Sequence, residues 1–261
     1  MRSIPIIFLA FSLGSGAGIA DDVNASESVP SPVVVELFTA EGCSSCPPAD
    51  AFLMQLDALQ PIPGAHLIVL SEHMDYWDNS WPDPFASAQL TARQADYVRA
   101  LKLRFPYTPQ FIVDGATEMH LQNREKIEPI FRSAAASPKI PVSVESISVE
   151  SGTPANLSGR IEVDGNAVQH RVDVYLAIAL DRAETKVLRG ENQGKTLDHV
   201  AVVEYLSKVG VLNPGEKFSQ EFRVPLKREL ASNNDRVIVF LQELGNGKVV
   251  GATLQRTVRP E

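Results

Sequence analysis

The chain has 261 residues, of which 44% are hydrophobic and 21% charged, values that are ordinary for a folded protein. Its formal net charge of -8 argues against nucleic acid as a partner, because a phosphate backbone attracts basic surfaces. The length allows one large domain or two small ones.

The first twenty residues predict a secretory signal peptide. Arg2 supplies the basic start, Ile4 to Leu13 form an apolar run, and small residues end at Ala20. The run is too short to span a bilayer, so we expect cleavage after Ala20 and no stable membrane insertion afterwards. We therefore predict a periplasmic or secreted protein, which would lie in an oxidising compartment where a disulfide persists. An uncleaved anchor is the less favoured alternative, and residues 21–32 predict a flexible lead-in.

The next segments predict a β-α-β unit. Val33 to Phe38 is rich in β-branched residues and predicts a strand. Ala49 to Leu59 repeats apolar residues at helical spacing, and the prolines before it suit a helix start. His66 to Leu70 predicts a second strand, which a right-handed crossover places parallel to the first.

A Cys-Ser-Ser-Cys box lies between the first strand and this helix. Cys43 and Cys46 are the chain's only two cysteines. The free amides and the dipole of a helix start favour a Cys43 thiolate, and the three-residue offset lets Cys46 attack a mixed disulfide at Cys43. We predict a redox pair close to solvent, with Cys43 as nucleophile and Cys46 as resolving thiol. The alternative is a static disulfide or two inert thiols. A disulfide that closes so short a loop restricts the unfolded chain little and therefore adds little stability.

The rest of the first half predicts an aromatic-rich loop, two helices and a hairpin. In chain order these are the loop Ser71 to Pro84, a helix from Phe85 to Leu103, strands Phe111 to Val113 and Thr117 to Leu121 around an Asp114-Gly115 turn, and a helix from Arg124 to Ala136. The resulting order, β-α-β-α-β-β-α, predicts an α/β domain over residues 33–138.

From about Pro138 the pattern changes to short strands between Gly, Asn and Pro turns. The predicted strands are Val142 to Val149, Leu157 to Val163, Val172 to Leu180, Phe218 to Val224, Val237 to Leu244 and Val249 to Leu254, the last two joined by Asn246-Gly247. His199 to Val211 fits a helix or a strand. These elements predict a smaller all-β, sandwich-like domain over residues 139–261.

Three separated segments are predicted to meet at one edge of the sheet. Parallel strands end on the same edge, so Cys43 after the first strand and His73 after the second share it. An antiparallel third strand brings Thr108 and Pro109, at its start, to the same place. This edge is the predicted site.

Two polar residues near this edge have open interpretations. His73 is either a proton donor or metal ligand, or a loop histidine hydrogen-bonded to Asp75 or Asp78. Glu36 lies within an apolar strand. If buried, it would relay protons to Cys46, whereas an edge or surface-facing position is the favoured alternative.

Two further groups have alternative roles. Tyr76, Trp77 and Trp81 either line a groove or pack the long loop onto the sheet, and packing is favoured. His199 and the loop from Arg189 to Asn192 are far from the box in sequence. They either fold back onto it or tie the second domain together, and the second role is favoured.

Several motifs together resemble a family of bacterial secreted thioredoxin-like proteins of unknown function. The motifs are Glu36 to Asp50 around the box, His73-x-Asp-Tyr-Trp-Asp78, Asp83-Pro-Phe85, Tyr107-Thr-Pro-Gln110, Arg189-Gly-Glu-Asn192 and Leu197-Asp-His199. The resemblance implies a thioredoxin-like fold, a cis peptide at Pro109 beside the disulfide, and pairing of the Thr108 backbone with an extended substrate. Unlike thioredoxin itself, the chain has Ser-Ser between the cysteines, Gly42 before them, and Leu37 in place of the buried acid.

We therefore predict an exported thiol-disulfide oxidoreductase that acts on protein or small-molecule thiols and disulfides without a cofactor. The predicted site residues are Cys43, Cys46, Thr108, Pro109, Glu36 and His73. One alternative is a periplasmic copper- or zinc-handling protein, with Cys43, Cys46 and His73 as ligands. The other is a non-catalytic binding module on a thioredoxin-like fold.

Overall fold

The structure, a computed structural model, describes residues 29–150, 152, 154–226 and 235–257. The predicted signal peptide lies outside the described residues, as does most of the predicted lead-in over 21–32. Ser31 and Pro32, the end of that lead-in, already belong to the first strand. Among the described residues, no helix is long and apolar enough to cross a membrane.

Three α-helices and eleven strands are present in the described residues. The first half comprises β1 (Ser31–Thr39), α1 (Pro47–Leu59), β2 (Ala65–His73), α2 (Ala88–Ala100), β3 (Gln110–Val113), β4 (Thr117–Met119) and α3 (Arg124–Ala136). The second comprises β5 (Val142–Glu150), β6 (Asn156–Asp164), β7 (Val172–Lys186), β8 (Thr196–Leu212), β9 (Lys217–Pro225), β10 (Asp235–Glu243) and β11 (Val249–Arg256). The predicted order of elements in the first half is confirmed, and the segment that fitted a helix or a strand lies in β8.

Strands from both halves form one eight-stranded sheet. Its order is β11-β10-β7-β8-β2-β1-β3-β4. As predicted, β1 runs parallel to β2, and it is antiparallel to β3. The two halves are joined within this sheet by the pairing of β2 with β8, at Ser71 and Val202. The predicted boundary after residue 138 falls between α3 and β5, but the backbone hydrogen bonding does not stop there.

A second sheet of three strands, in the order β5-β6-β9, covers part of the large sheet. Leu157 and Ile161 of β6 are buried in one apolar cluster with Leu176 of β7 and Val239 of β10. Two sheets packed face to face through alternating inward residues give the second half a sandwich-like core. This half supplies seven of the eleven described strands.

The two sides of β1 face different helices. Phe52 of α1 packs edge-to-face on Phe111, which pairs with Leu37 and so shares its side of the sheet. Phe38 packs edge-to-face on Tyr97 of α2. Because neighbouring strand residues point to opposite faces, α1 and α2 lie on opposite sides of the sheet.

Glu36 is fully buried, so the favoured surface or edge position was wrong. It points to the α2 side, where its Oε1 accepts from Arg93 Nε at 2.6 Å and its Oε2 accepts from the Tyr97 hydroxyl at 2.5 Å. Gln242 of β10 donates to the Tyr97 oxygen at 2.9 Å, which links the second half to this group. A buried carboxylate is tolerated here because a buried guanidinium neutralises it.

A second buried carboxyl group, that of Glu72, lies near the same cation. Arg93 Nε lies 3.7 Å from Glu72 Oε1. Burial, together with the neighbouring Glu36 carboxylate, holds the pKa of Glu72 well above its usual range, and Arg93 only partly opposes this. Arg93 therefore neutralises the Glu36 carboxylate, whereas the raised pKa of Glu72 favours the uncharged form of that carboxyl.

Replacing Arg93 by Met should lower the free energy of unfolding by about 3–5 kcal/mol, because the buried Glu36 carboxylate would lose its counter-charge. Denaturant titration measures this loss. Arg99→Met is the matched control, since Arg99 lies on the same helix and its ion pair with Asp96 is exposed. The control should cost less than about 1 kcal/mol. Equal losses in the two variants would contradict the role of Arg93.

Candidate functional site

The two cysteines are bonded to each other at the start of α1, where the sequence predicts them. Cys43 and Cys46 form a disulfide, and their Cα atoms are 5.5 Å apart. The Cys46 carbonyl accepts the amides of Ala49 and Asp50, which begins the helix. The pair therefore lies at a helix start, but Pro47 and Pro48 carry no N–H and the Ala49 and Asp50 amides are hydrogen-bonded to Cys46, so this start offers fewer free amides than the sequence predicts.

Both cysteines are buried, which corrects the prediction of a pair close to solvent. Cys43 is 1% exposed and Cys46 is not exposed at all. They pack with Ala40, and the Trp77 side chain lies against this cluster. The Ser45 hydroxyl, on the exposed side, is 3.3 Å from Cys43 Sγ. This burial depends on tertiary structure, because the Trp77 side chain that covers the cysteines comes from a loop that is remote from the box in sequence.

The third predicted segment does reach the box. The peptide between Thr108 and Pro109 is cis, as the resemblance implies. Trp77 Nε1 donates to Thr108 Oγ1 at 2.8 Å, so this indole joins the disulfide cluster to the cis peptide. A groove of about 670 Å³ lies alongside, with Ser45, Thr108 and Pro109 in its wall and Phe105, 54% exposed, at its border.

His73 is a buried residue at the end of β2, not a loop residue. Its Nδ1 is 2.7 Å from Asp83 Oδ2, so its partner is neither Asp75 nor Asp78. The same Asp83 oxygen accepts the Glu41 N–H at 2.9 Å. Asp83 Oδ2 therefore links His73 to the backbone of the loop that precedes the box.

A group of buried ionisable side chains lies beside the disulfide. His199 Nε2 is 3.4 Å from Glu41 Oε1, and His199 Nδ1 is 3.9 Å from Asp50 Oδ1. The His199 ring also packs edge-to-face on His73, with centroids 4.7 Å apart. His199 comes from β8, so it folds back onto the box, and the favoured alternative for this residue was wrong.

Asp50 is a candidate residue that the sequence analysis passed over. It lies four residues after Cys46, and a four-residue spacing places both side chains on one face of α1. Burial raises the pKa of Asp50 to about 6, although the nearby His199 acts to lower it. The spacing was the available signal, but burial of the carboxyl depends on long-range packing.

The loop between β7 and β8 folds over the box. We call residues 187–195 the β7–β8 tip. Asn192, which is fully buried, donates through Nδ2 to the carbonyls of Glu41 at 2.8 Å and Cys43 at 2.9 Å. Glu191 Oε2 accepts the Ser44 N–H at 3.0 Å. The segment from Arg189 to Asn192 therefore contacts the box directly, contrary to the favoured prediction.

Trp77 and Trp81 pack the aromatic loop against the box, whereas the sequence predicts packing onto the sheet, and Tyr76 is exposed. Trp81 Nε1 donates to Glu41 Oε2 at 2.6 Å, and the Trp77–Ser80 turn lies on Gly42. A Cβ at Gly42 would be 2.6 Å from Ser80 Oγ and 3.2 Å from Trp77 Cβ. The residue before Cys43 is therefore small because the turn occupies the space of a side chain.

The proposed metal ligands do not form a ligand set. In the disulfide the two sulfur atoms are bonded to each other, and His73 is hydrogen-bonded to Asp83. Within the described ranges, no group of three or more His, Cys, Asp or Glu side chains is arranged to hold a metal ion.

Comparison with known proteins adds a family and two similar structures. A family model described as "Protein of unknown function (DUF1223)" matches residues 34–242. The X-ray structure of protein AGR_C_4864 from Agrobacterium tumefaciens has 25% sequence identity and a TM-score of 0.63, over 88% of this chain and 95% of that chain. HBP35 of Porphyromonas gingivalis has 16% identity and a TM-score of 0.64, over 89% and 78% respectively. No curated protein matches the chain.

The raised pKa of Asp50 predicts a pH-dependent stability. Its pKa is about 6 in the folded protein, against 3.8 for an aspartate side chain that is free in water. The stabilising contribution of the protonated form is present at low pH and is lost as the pH rises through 6, by about 2–3 kcal/mol between pH 4 and 8. Asp50→Asn should therefore gain stability relative to the wild type over this range.

Urea titrations at pH 4, 6 and 8 measure this difference. Asp96→Asn, at an exposed position of α2, is the control, and its difference from the wild type should stay nearly constant with pH. A constant difference for Asp50→Asn as well would show that the carboxyl titrates normally.

Proposed function

We infer the function of this chain, which belongs to the DUF1223 family of proteins of unknown function, from its site, and we propose an exported thiol-disulfide oxidoreductase. The observation that carries the proposal is the Cys43–Cys46 disulfide at the start of α1, beside the cis peptide before Pro109 and an open groove. A disulfide with so short a loop adds little stability, so a redox role accounts for it better than a structural one.

We also propose that residues 33–138 have a thioredoxin-like fold. The order β-α-β-α-β-β-α supports it, as do the parallel β1–β2 and antiparallel β1–β3 pairs and helices on both faces. The predicted signal peptide supports a periplasmic or secreted location, where the disulfide would persist.

The proposed reaction starts from the disulfide and a substrate with two thiols. A substrate thiolate attacks Cys43 Sγ, a mixed disulfide forms there, and the Cys43–Cys46 bond breaks to release the Cys46 thiolate. The second substrate thiolate attacks its own partner sulfur in the mixed disulfide and releases the Cys43 thiolate. The substrate loses two electrons and becomes a disulfide, and the cysteine pair gains two electrons and two protons. The reverse sequence reduces a substrate disulfide.

Asp50 is the proposed proton donor and acceptor for Cys46. Both residues are buried on one face of α1, and a pKa near 6 allows the carboxyl to hold or release a proton around neutral pH. Glu36, the residue predicted for this role, lies on the α2 side of the sheet and is hydrogen-bonded to Arg93 and Tyr97. The position of α1 therefore favours Asp50.

The groove beside Thr108 and Pro109 is the proposed substrate site. It is mainly apolar, and its volume of about 670 Å³ lies within the usual range for ligand sites. Ser45 separates the groove from Cys43 Sγ, so a substrate in the groove needs only a short path to the sulfur. An extended peptide with an apolar side chain beside a cysteine fits these features.

The roles of the two cysteines predict different results for two matched variants. Cys46→Ser removes the resolving thiol, so a mixed disulfide with glutathione or a substrate protein should accumulate on Cys43. Cys43→Ser leaves only the fully buried Cys46 and should accumulate little adduct. Mass spectrometry under non-reducing conditions measures the adducts, and an insulin-reduction assay measures turnover by the wild type. Equal adduct formation by the two variants, or a wild type inactive towards every thiol and disulfide tested, would overturn the proposal.

A further inference from the structure

The β7–β8 tip makes polar contacts on both sides of Cys43. Asn192 binds the carbonyls of Glu41 and Cys43, and Glu191 binds the amide of Ser44. The tip also rests on the loop that packs against the box, since a Cβ at Gly190 would be 3.0 Å from the Ser80 carbonyl oxygen. A segment from the second half therefore contacts the backbone immediately before and after the reactive sulfur.

The Asn192 side chain is fully used in these contacts. Its amide nitrogen donates twice, and its Oδ1 accepts from Lys195 Nζ at 2.9 Å, which closes the tip on itself. Moving the tip away would take this donor from the buried Glu41 and Cys43 carbonyls, and the loss of a hydrogen bond to a buried carbonyl is unfavourable. Asn192 thus holds the loop before Cys43 in the conformation that buries the sulfurs.

The Glu191 carboxylate accepts a backbone N–H that would otherwise be free to stabilise a Cys43 thiolate. Ser44 lies before α1 and carries the first amide after Cys43, and a hydrogen bond from a backbone N–H favours the anionic form of the group that accepts it. Hydrogen bonds from the Ser44 side chain and backbone hold the pKa of Glu191 below its usual range, so the carboxylate is charged at neutral pH. A negative charge at this position disfavours a second one on Cys43, and a disfavoured thiolate shifts the equilibrium towards the disulfide.

We propose that Glu191 and Asn192 are positioning residues of the cysteine pair: Glu191 biases the pair towards its disulfide form by binding the Ser44 amide in place of a Cys43 thiolate, and Asn192 slows reduction of the disulfide by holding the covering loop. The inference rests on the proposed function, because it concerns the direction of exchange at the same pair. It implies that the dithiol form of this pair is a strong reductant and that its disulfide is reduced slowly.

The test is the equilibrium of the purified, full-length protein with glutathione. Two molecules of reduced glutathione become one of oxidised glutathione, and the Cys43–Cys46 disulfide takes up two electrons and two protons. Glu191→Gln should shift this equilibrium about two- to fivefold towards the dithiol, the range expected for one exposed charge at a helix start. The shift should shrink at 1 M salt, because salt screens exposed charges.

Glu184→Gln is the matched control, since it removes the same charge from an exposed position on β7, outside the tip. It should leave the equilibrium constant unchanged. A shift in Glu191→Gln no larger than in Glu184→Gln would overturn the role of Glu191.

Asn192→Ala tests the covering role by the rate at which dithiothreitol reduces the disulfide. The rate should rise at least about tenfold, because losing even 1.4 kcal/mol of closure exposes the sulfurs ten times as often. Asn213→Ala, in the exposed turn between β8 and β9, is the control and should reduce at the wild-type rate. Circular dichroism establishes that each variant is folded. An unchanged rate in folded Asn192→Ala overturns this role, and if that variant does not fold, Asn192→Ser is measured in its place under the same criterion.

These results are separable from the proposed function. The glutathione equilibrium and the reduction rate are properties of the cysteine pair and need no substrate protein. A pair whose equilibrium shifts in Glu191→Gln but which never turns over a substrate would overturn the oxidoreductase proposal and support the bias. If the wild type turns over a substrate but Glu191→Gln does not shift the glutathione equilibrium, the oxidoreductase proposal is supported and the role of Glu191 is overturned.

Discussion

The loop that leads into Cys43 is held by side chains from other parts of the chain, and the site depends on this restraint. Asp83 accepts the Glu41 amide, and Asn192 donates to the Glu41 and Cys43 carbonyls. Buried backbone groups must be paired, so these bonds restrict the loop to one conformation. The partners lie 42 and 149 residues away in sequence, which makes the position of the disulfide a property of the whole molecule.

The sheet separates two groups of buried charge. On the α2 side, Arg93 neutralises Glu36 and stabilises the joint between the halves through Gln242. On the α1 side, the basic neighbour of Asp50 within the described part of the chain is the His199 imidazole, 3.9 Å away, and not a guanidinium. The first group joins the two halves, and the second contains the Asp50 carboxyl, whose pKa is raised to about 6.

Burial of the sulfurs and access to them are controlled by different neighbours. Ser45 and the groove lie on the side of the cis peptide, whereas Asn192 and Glu191 cover the box from the second half. This arrangement brings the β-rich half into direct contact with the backbone on both sides of Cys43. The two halves share one sheet, so the cover is attached to the same rigid support as the site itself.

Local features of the chain were accessible from the sequence. The box at a strand-to-helix junction, the order of elements and the meeting of Cys43 with Pro109 follow from short spacings, apolar periodicity and the geometry of a parallel strand pair. The burial of Glu36, the pairing of His73 with Asp83, and the contacts of Asp50 and Asn192 were decided by tertiary structure. A spacing signal reaches only a few residues, whereas the burial and partner of a polar side chain depend on which remote segment packs against it. No local pattern in this chain encodes that a hairpin from the second half closes over the disulfide.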